Sequence, residues 1–413
     1  MKLLMSSYAC EPDRGSEPSV GWNWAMAMSE HADVTVLTRA NNQGVIGKKI
    51  EALEKHGRKN FPMFIYHDPP HLVIKAKKRG LLPVQLFYII WQMGAFFKMK
   101  KTLCDYEIVH HVTFNSMMFP GLWWSNKTTV VLGPLGGTSC VKEDYKVLFG
   151  RGAWKEKLRE FMISHWSKLP WLRMSFNRAS LILCANSETE ALLSTHYPNK
   201  VVRILEAGLD DAETVSENIE VHSSNLVRFI WVGSVEPWKA LSLALRAFSK
   251  AIAVLPDGLQ VELDVVGKGS ELEKAKAEAC ELGIAKKVKF HGALSLIKTQ
   301  AIMVAADVLI FSSIKDTSGN VVLEAMGKAK PVICLDHQGV KDIVTPQTGI
   351  KVKTGELDAT IVGISEAIVG LALDFEKRLE MGKEGRDRIK ALYLWREKAK
   401  TLKEHYNQIT KMN

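Results

Sequence analysis

Two carboxylates, a lysine and a pair of histidines are the residues of this chain best placed to do chemistry. Asp316 and Glu324 bracket the segment D-T-S-G-N-V-V-L-E-A-M-G (Asp316–Gly327). A β-rich run ends at Phe311, a polar loop follows, and a helical pattern begins near Gly319. The start of a helix presents backbone N–H groups and the positive end of a dipole, which suits a phosphate. A carboxylate in the loop can accept hydrogen bonds from sugar hydroxyls, and one on the inner face of the helix can grip a vicinal diol such as a ribose. Glu324 could instead be a solvated helix residue. Its place in the apolar run Val321–Met326 argues against that, because ionised carboxylates are seldom buried without partners. Lys239 ends V-G-S-V-E-P-W-K (Val232–Lys239), a second strand, turn and helix start. An ammonium there would stabilise negative charge developing on a leaving diphosphate. The plainer alternative is a surface helix cap. His110 and His111 lie where E-I-V-H-H-V-T-F-N (Glu107–Asn115) runs from strand to loop. Strand neighbours point to opposite faces, so only one can face a ligand. His111 is preferred as nearer the loop, and a histidine packed into the wall is the alternative for either.

The elements that must hold these groups alternate between short β-rich runs and longer helical stretches, which reads as α/β with parallel sheets. In the first half the strand candidates are Lys2–Tyr8, Val34–Thr38, Met63–Tyr66, Ile108–Val112, Thr129–Leu132 and Leu181–Ala185, with one helical stretch near 154–178. Residues 210–225 are polar and acidic and form the best linker. A second alternation follows, through Arg228–Val232, Val261–Val266, Val288–Phe290, Val308–Ser312 and Pro331–Cys334. The expected division is a first domain at 1–209, the linker at 210–225, a second domain at 226–390 and a final helix at 391–413. Two glycine-rich loops follow strands in the first half. One is A-C-E-P-D-R-G-S-E (Ala9–Glu17), where Gly15, Ser16 and the later Gly21 are expected to let the backbone turn before a helix. The other is G-P-L-G-G-T (Gly133–Thr138), with Gly136 and Gly137 expected to line an acceptor or phosphate loop. V-V-G-K-G-S-E-L (Val265–Leu272) lacks the third glycine of a dinucleotide fingerprint and reads as a structural turn.

At 413 residues the chain is long enough for two or three domains, and 46% hydrophobic with 24% charged residues is ordinary for a soluble globular protein. No run of apolar residues is long enough to span a bilayer. The N-terminus reads as a buried first strand, not a signal peptide. Six scattered cysteines without a C-x-x-C pair read as buried reduced thiols, and the expected compartment is the cytosol. The net charge of +10 is uneven: residues 71–101 carry Lys75, Lys77, Lys78, Arg79, Lys98, Lys100 and Lys101 and no acid. Between the two basic clusters lie Leu86, Phe87, Tyr88, Ile89, Ile90, Trp91, Phe96 and Phe97. That mixture suits a helix at an anionic membrane surface, here the inner face of the cytoplasmic membrane. A core helix with solvated basic ends has the same composition. No nucleic-acid-binding signature accompanies the charge, so no nucleic-acid partner is expected. No D-x-D pair and no cluster with metal-ligand spacing occurs, so neither a metal nor another cofactor is expected.

D-T-S-G-N-V-V-L-E-A-M-G is similar to the E-G-F-G-x-x-x-L-E-A-M-A motif of glycosyltransferase family 4, and V-G-S-V-E-P-W-K-A resembles that family's V-G-R-L-x-x-x-K-G stretch. The A-C-E-P-x-x-G-S-E form looks like a bacterial branch acting on surface polysaccharides, lipopolysaccharide among them. The resemblance implies a GT-B fold: two Rossmann-like domains facing across a cleft, the first binding the acceptor and the second the nucleotide sugar, with a C-terminal helix packing back on the N-terminal domain. It implies a retaining hexosyltransferase that uses a nucleotide-sugar donor and a saccharide or lipid-linked acceptor. Asp316 would contact the donor sugar, Glu324 the ribose, and Lys239 the diphosphate, with Ser318, Gly319, Asn320 and Val321 completing the donor site. Ser234 stands where the family has an arginine, and Asp316 where it has a glutamate. A histidine matched by His111 would reach the donor sugar. The alternatives are a nucleotide-sugar 2-epimerase and a non-catalytic sugar-nucleotide-binding partner of another transferase.

Overall fold

The computed structural model describes residues 1–125, 128–211, 214 and 225–411. The linker expected at 210–225 therefore lies mostly outside the described residues. The chain forms two compact units. The first takes residues 1–138, 161–208 and the helix Trp395–Lys411, and the second takes residues 139–160 and 209–394.

In the first unit seven strands form one parallel sheet: β1 (Lys2–Ser6), β2 (Asp33–Thr38), β3 (Met63–Tyr66), β4 (Ile108–His111), β5 (Thr129–Leu135), β6 (Leu181–Cys184) and β7 (Val201–Arg203). Their order is β3-β2-β1-β4-β5-β6-β7. The second unit has six: β8 (Leu226–Val232), β9 (Gln260–Val266), β10 (Val288–Gly292), β11 (Val308–Phe311), β12 (Val332–Leu335) and β13 (Gly349–Val352), in the order β10-β9-β8-β11-β12-β13. Strands covered by helices on both faces need near-continuous apolar runs. β4, β6, β11 and β12 are buried along their whole length. The strand order reverses between β1 and β4 in one sheet and between β8 and β11 in the other. Ligands of open α/β sheets bind beyond the carboxyl ends of strands at such reversals. His111 ends β4, the Asp316 loop follows β11, and the Lys239 turn follows β8.

Several expectations need correction. Residues 139–160, expected in the first domain, pack with the second unit. Val141 and Tyr145 enter its core, and Tyr145 Oη lies 2.6 Å from Thr360 Oγ1. The helix expected over 154–178 is broken into Ala153–Ser164 and Pro170–Arg178, because Pro170 is accepted only in a first helical turn. Gly21 lies inside the helix Glu17–Met28, where a Cβ would sit 2.0 Å from the Ala9 carbonyl oxygen. It serves close packing, not a turn. Gly15 makes no tight approach, and the residues with left-handed backbone in this loop are Asp13, at φ 57°, and Ser16, at φ 64°. Of the six thiols only Cys10, Cys184 and Cys334 are buried, while Cys104, Cys140 and Cys280 are exposed.

The helix Val84–Met99 is apolar nearly all round but buried on one side only. Phe87, Tyr88, Trp91, Gln92, Ala95 and Met99 face the core. Val84, Leu86, Ile89, Met93 and Phe97 are 36–65% exposed. Lys77 also departs from expectation. It does not join the exposed basic cluster but turns inward and donates to Tyr8 Oη at 3.1 Å. The last helix, Trp395–Lys411, buries Trp395, Ala399, Leu402 and Tyr406, which recur along one face. Tyr406 Oη lies 2.6 Å from His110 Nδ1, and His110 Nε2 lies 2.7 Å from the Gly133 carbonyl. A carbonyl only accepts, so His110 carries its proton on Nε2, and its Nδ1 accepts a hydrogen bond from the Tyr406 hydroxyl. Burial holds its pKa down to about 4, so the ring is neutral.

Candidate functional site

The second unit gathers the residues singled out at Lys239, Asp316 and Glu324. After β8 the chain turns through Pro237–Lys239, and after β11 it runs into the loop that carries Asp316. Serines stitch these segments together. Ser312 Oγ donates to the Lys239 carbonyl at 3.0 Å and accepts from Trp231 Nε1 at 3.0 Å. Ser313 Oγ donates to the Trp238 carbonyl at 3.2 Å, and the Ile314 N–H donates to the same carbonyl at 2.9 Å. The stitching brings Lys239 Nζ onto Asp316 Oδ2 as an ion pair, each side chain 22% exposed. The pair is within reach of solvent, and so of a ligand that competes for it.

The helix Asn320–Gly327 starts next to this pair. Its N-cap, Gly319, has φ 70° and ψ 68° and brings no side chain of its own to cap the helix start. A Cβ on Gly319 would lie 3.0 Å from the Phe311 ring, so both space and backbone favour glycine there. Val322, Leu323, Ala325 and Met326 are buried, which leaves Asn320, Val321 and Glu324 as the less covered strip. Those three are sequence-predicted donor residues. Glu324 is half-buried, and its Oε2 accepts from Gln300 Nε2 at 2.9 Å. Ser318 Oγ donates to Asn320 Oδ1 at 3.1 Å. Ser234 is exposed in the turn after β8.

Sequence reasoning missed Gln338. It sits just beyond β12, buried and at φ 54°, a left-handed backbone that non-glycine residues rarely adopt. Its Oε1 accepts from the Asp316 N–H, and its Nε2 donates to the Ile314 carbonyl at 2.9 Å. The amide thus clamps the loop on either side of Lys315 and sets the backbone of Asp316. Its position beyond the carboxyl end of a strand was the available signal. Lys315 was also missed. Its Nζ lies 2.5 Å from Glu156 Oε1, and burial pushes its pKa down while that carboxylate pulls it up.

In the first unit, Glu17 was overlooked although it ends the G-S-E segment. Its carboxylate accepts from the N–H groups of Phe114 and Asn115, the latter at 3.0 Å. Burial raises its pKa against those two donors. They hold Phe114 at φ 71°, with its ring stacked 3.8 Å from that of Tyr88. Gly136 joins the same loop, donating to the Asn115 carbonyl at 2.6 Å and accepting from the Met117 N–H at 3.1 Å. Gly137 is exposed. His111 is buried, with Nε2 3.2 Å from Tyr88 Oη, and burial and then neighbouring His110 lower its pKa to about 3. It is a neutral ring. The structure separates the two histidines as a strand must: His110 anchors the last helix and His111 faces the Tyr88 cluster.

A family model for glycosyl transferases group 1 matches residues 227–370. The matched segment lies wholly within the second unit. That segment contains Lys239, Asp316, Glu324 and Gln338. The chain is 30% identical over 168 residues to a GDP-mannose-dependent monoacylated alpha-(1-6)-phosphatidylinositol monomannoside mannosyltransferase of Corynebacterium glutamicum, covering 38% of this chain and 41% of that protein. It is 27% identical over 141 residues to the lipopolysaccharide core biosynthesis glycosyltransferase LpsE of Rhizobium meliloti, covering 34% of this chain and 39% of that protein. The chain thus spans 41% and 39% of the length of these curated relatives. Among solved structures, Anabaena HepE in complex with UDP and glucose superposes with a TM-score of 0.62 at 15% identity, covering 99% of this chain and 100% of that one. The two units have the GT-B fold, with a Rossmann-like sheet in each.

Proposed function

We propose that the protein transfers a sugar, a hexose or a close relative, from a nucleoside diphosphate sugar to a saccharide or lipid-linked saccharide acceptor, with retention at the anomeric carbon. The observation that carries this reading is the meeting of Lys239 and Asp316 beside the start of the helix that bears Glu324. The diphosphate takes the helix start and Lys239, Asp316 orients the sugar hydroxyls, and Glu324 holds the ribose diol. Lys239 then stabilises the charge that grows on the leaving diphosphate. The acceptor hydroxyl attacks from the face the diphosphate leaves, and the leaving phosphate takes its proton. The relatives named above, a mannosyltransferase and a lipopolysaccharide core enzyme, support a place in the synthesis of cell-surface glycans. HepE, with UDP and glucose bound, supports a nucleotide donor. The reaction needs no metal, so chelators should leave it intact.

The exposed apolar side of Val84–Met99, with the exposed cations Lys75, Lys78, Arg79, Lys98, Lys100 and Lys101, is read as resting on an anionic membrane surface. Among the described residues no helix is long and apolar enough to cross a membrane. The deciding experiment is calorimetric titration with a panel of nucleotides and nucleotide sugars, repeated on Glu324→Ala. One donor should bind the wild type, and the variant should lose at least tenfold in affinity for its nucleotide, about 1.4 kcal/mol. Wild-type affinity in the variant would contradict the role given to Glu324.

A further inference from the structure

Beyond the carboxyl ends of β1, β2 and β3 the first unit places Tyr8, Arg39 and Asp68. Lys77 reaches the same point from the helix His71–Lys78. Two cations here share two aromatic faces. The Arg39 guanidinium carbon lies 5.5 Å from the Tyr8 ring centre and 5.2 Å from that of Phe87. Lys77 Nζ lies 5.8 Å and 4.3 Å from the same two centres. Lys77 also donates to Tyr8 Oη at 3.1 Å. One carboxylate answers them: Asp68 Oδ1, 3.2 Å from Arg39 Nε. Both Arg39 and Asp68 are largely covered, with side chains 18% and 17% exposed. The surrounding rings already pack edge to face, Tyr8 against Phe87, Tyr88, Trp91 and Phe114, and do not need a second cation to hold them. Burial and the neighbouring guanidinium both push Lys77 below its ordinary pKa, so the cluster holds like charges together at a cost.

We propose that Tyr8, Arg39 and Lys77 form a phosphate-binding subsite that takes a phosphate group of the acceptor. A planar guanidinium fork and a mobile ammonium are the two side chains that suit phosphate oxygens. The Tyr8 hydroxyl adds a neutral donor, and Asp68 fixes the guanidinium plane. A phosphate dianion relieves the repulsion between the cations, and the subsite lies where ligands of such sheets bind. This subsite rests on the reading of the first unit as the acceptor-binding unit. The phosphate can belong to a soluble or lipid-linked phosphorylated acceptor or to an anionic lipid headgroup.

The test uses the full chain with UDP present to occupy the donor site. Inorganic phosphate and glycerol 3-phosphate are titrated calorimetrically, and vesicles of phosphatidylglycerol or phosphatidylcholine are sedimented with the protein. The expected result is millimolar binding of glycerol 3-phosphate that falls at least tenfold in Arg39→Gln and in Lys77→Gln and returns in Lys77→Arg. That rescue, with unchanged melting by circular dichroism, separates a lost ligand contact from lost folding. Binding confined to phosphatidylglycerol vesicles, and lost in the same two variants, also upholds the subsite and makes the lipid headgroup its ligand. No binding by the wild type to any probe, or binding that both variants retain, overturns it. UDP affinity is measured in parallel. Loss of phosphate binding with UDP binding intact separates this subsite from the donor reading, and a wild type that binds phosphate but no nucleotide or nucleotide sugar of the panel would sink the donor reading alone.

Discussion

At the scale of single residues the donor site is a matter of who holds Lys239. In the structure Asp316 does, and a diphosphate must compete with that carboxylate for the same ammonium. Lys239→Ala should therefore cost about 2–4 kcal/mol of transition-state stabilisation, read as kcat/KM with the true donor. Asp316→Asn should move in two directions at once. UDP should bind more tightly because its competitor is gone, while transfer falls because the sugar contact is gone. Equal losses in both would mean that the aspartate serves the diphosphate rather than the sugar. Gln338→Leu keeps the volume but strips the Asp316 N–H and the Ile314 carbonyl of their partner, about 1–3 kcal/mol for each group left unpaired. Its signature should be a raised donor KM with a well-formed fold by circular dichroism. An unchanged KM would show that the loop holds itself. Asp316, Glu324 and Lys239 were legible in the sequence because acid, glycine and apolar residues recur there at fixed offsets. Gln338, Glu17 and Arg39 were not, because each acts through tertiary contacts with segments far away in the chain, and no local pattern records them.

Among the elements, the central strands announced themselves through unbroken apolar runs. The edge strands β7 and β13 did not. V-V-R has three residues, and G-I-K-V carries a glycine and a lysine, so neither has the length or the burial that marks an inner strand. The last helix was legible as amphipathic, but its anchors were not. Lys398 lies buried on its inner face, donating to the Leu205 carbonyl, with Nζ 5.0 Å from the Trp24 ring centre and 5.7 Å from that of Trp395. Burial lowers its pKa from 10.5 to about 7, and nearby Glu206 offsets only part of that. Between those values the unfolded chain binds more protons than the native one, so stability from this group rises with pH above about 7 and is at its lowest below it. Melting temperatures of the wild type and Lys398→Met, compared from mildly acidic to mildly alkaline pH, should show the wild type gaining relative to the variant as pH rises. A constant difference would mean that Lys398 folds in the same charge state as it has when unfolded.

For the whole molecule, the proposed association with an anionic membrane would use the exposed side of Val84–Met99 as its apolar contact. With Lys77 turned inward, the six exposed cations at 75, 78, 79, 98, 100 and 101 remain, each worth about 1 kcal/mol near an anionic surface. Sedimentation with anionic vesicles should be strong at low salt and fade as the screening length shrinks to about 3 Å near 1 M. Neutral vesicles should bind little, and replacing Lys75, Lys78 and Arg79 with serine should weaken the anionic binding without touching nucleotide affinity. Equal binding to both kinds of vesicle, or to neither, would leave the exposed apolar side without a membrane role. The division of the chain into units has its own consequence for how the protein can be taken apart. The polypeptide passes from one unit to the other four times, near 138, 160, 208 and 394. A fragment ending at 209 lacks Trp395, Leu402 and Tyr406, which share a core with Ile108 and Leu183 of the first sheet. The first unit is thus closed by a stretch made long after its sheet, and a nascent chain stalled before residue 395 leaves that sheet with one flank open.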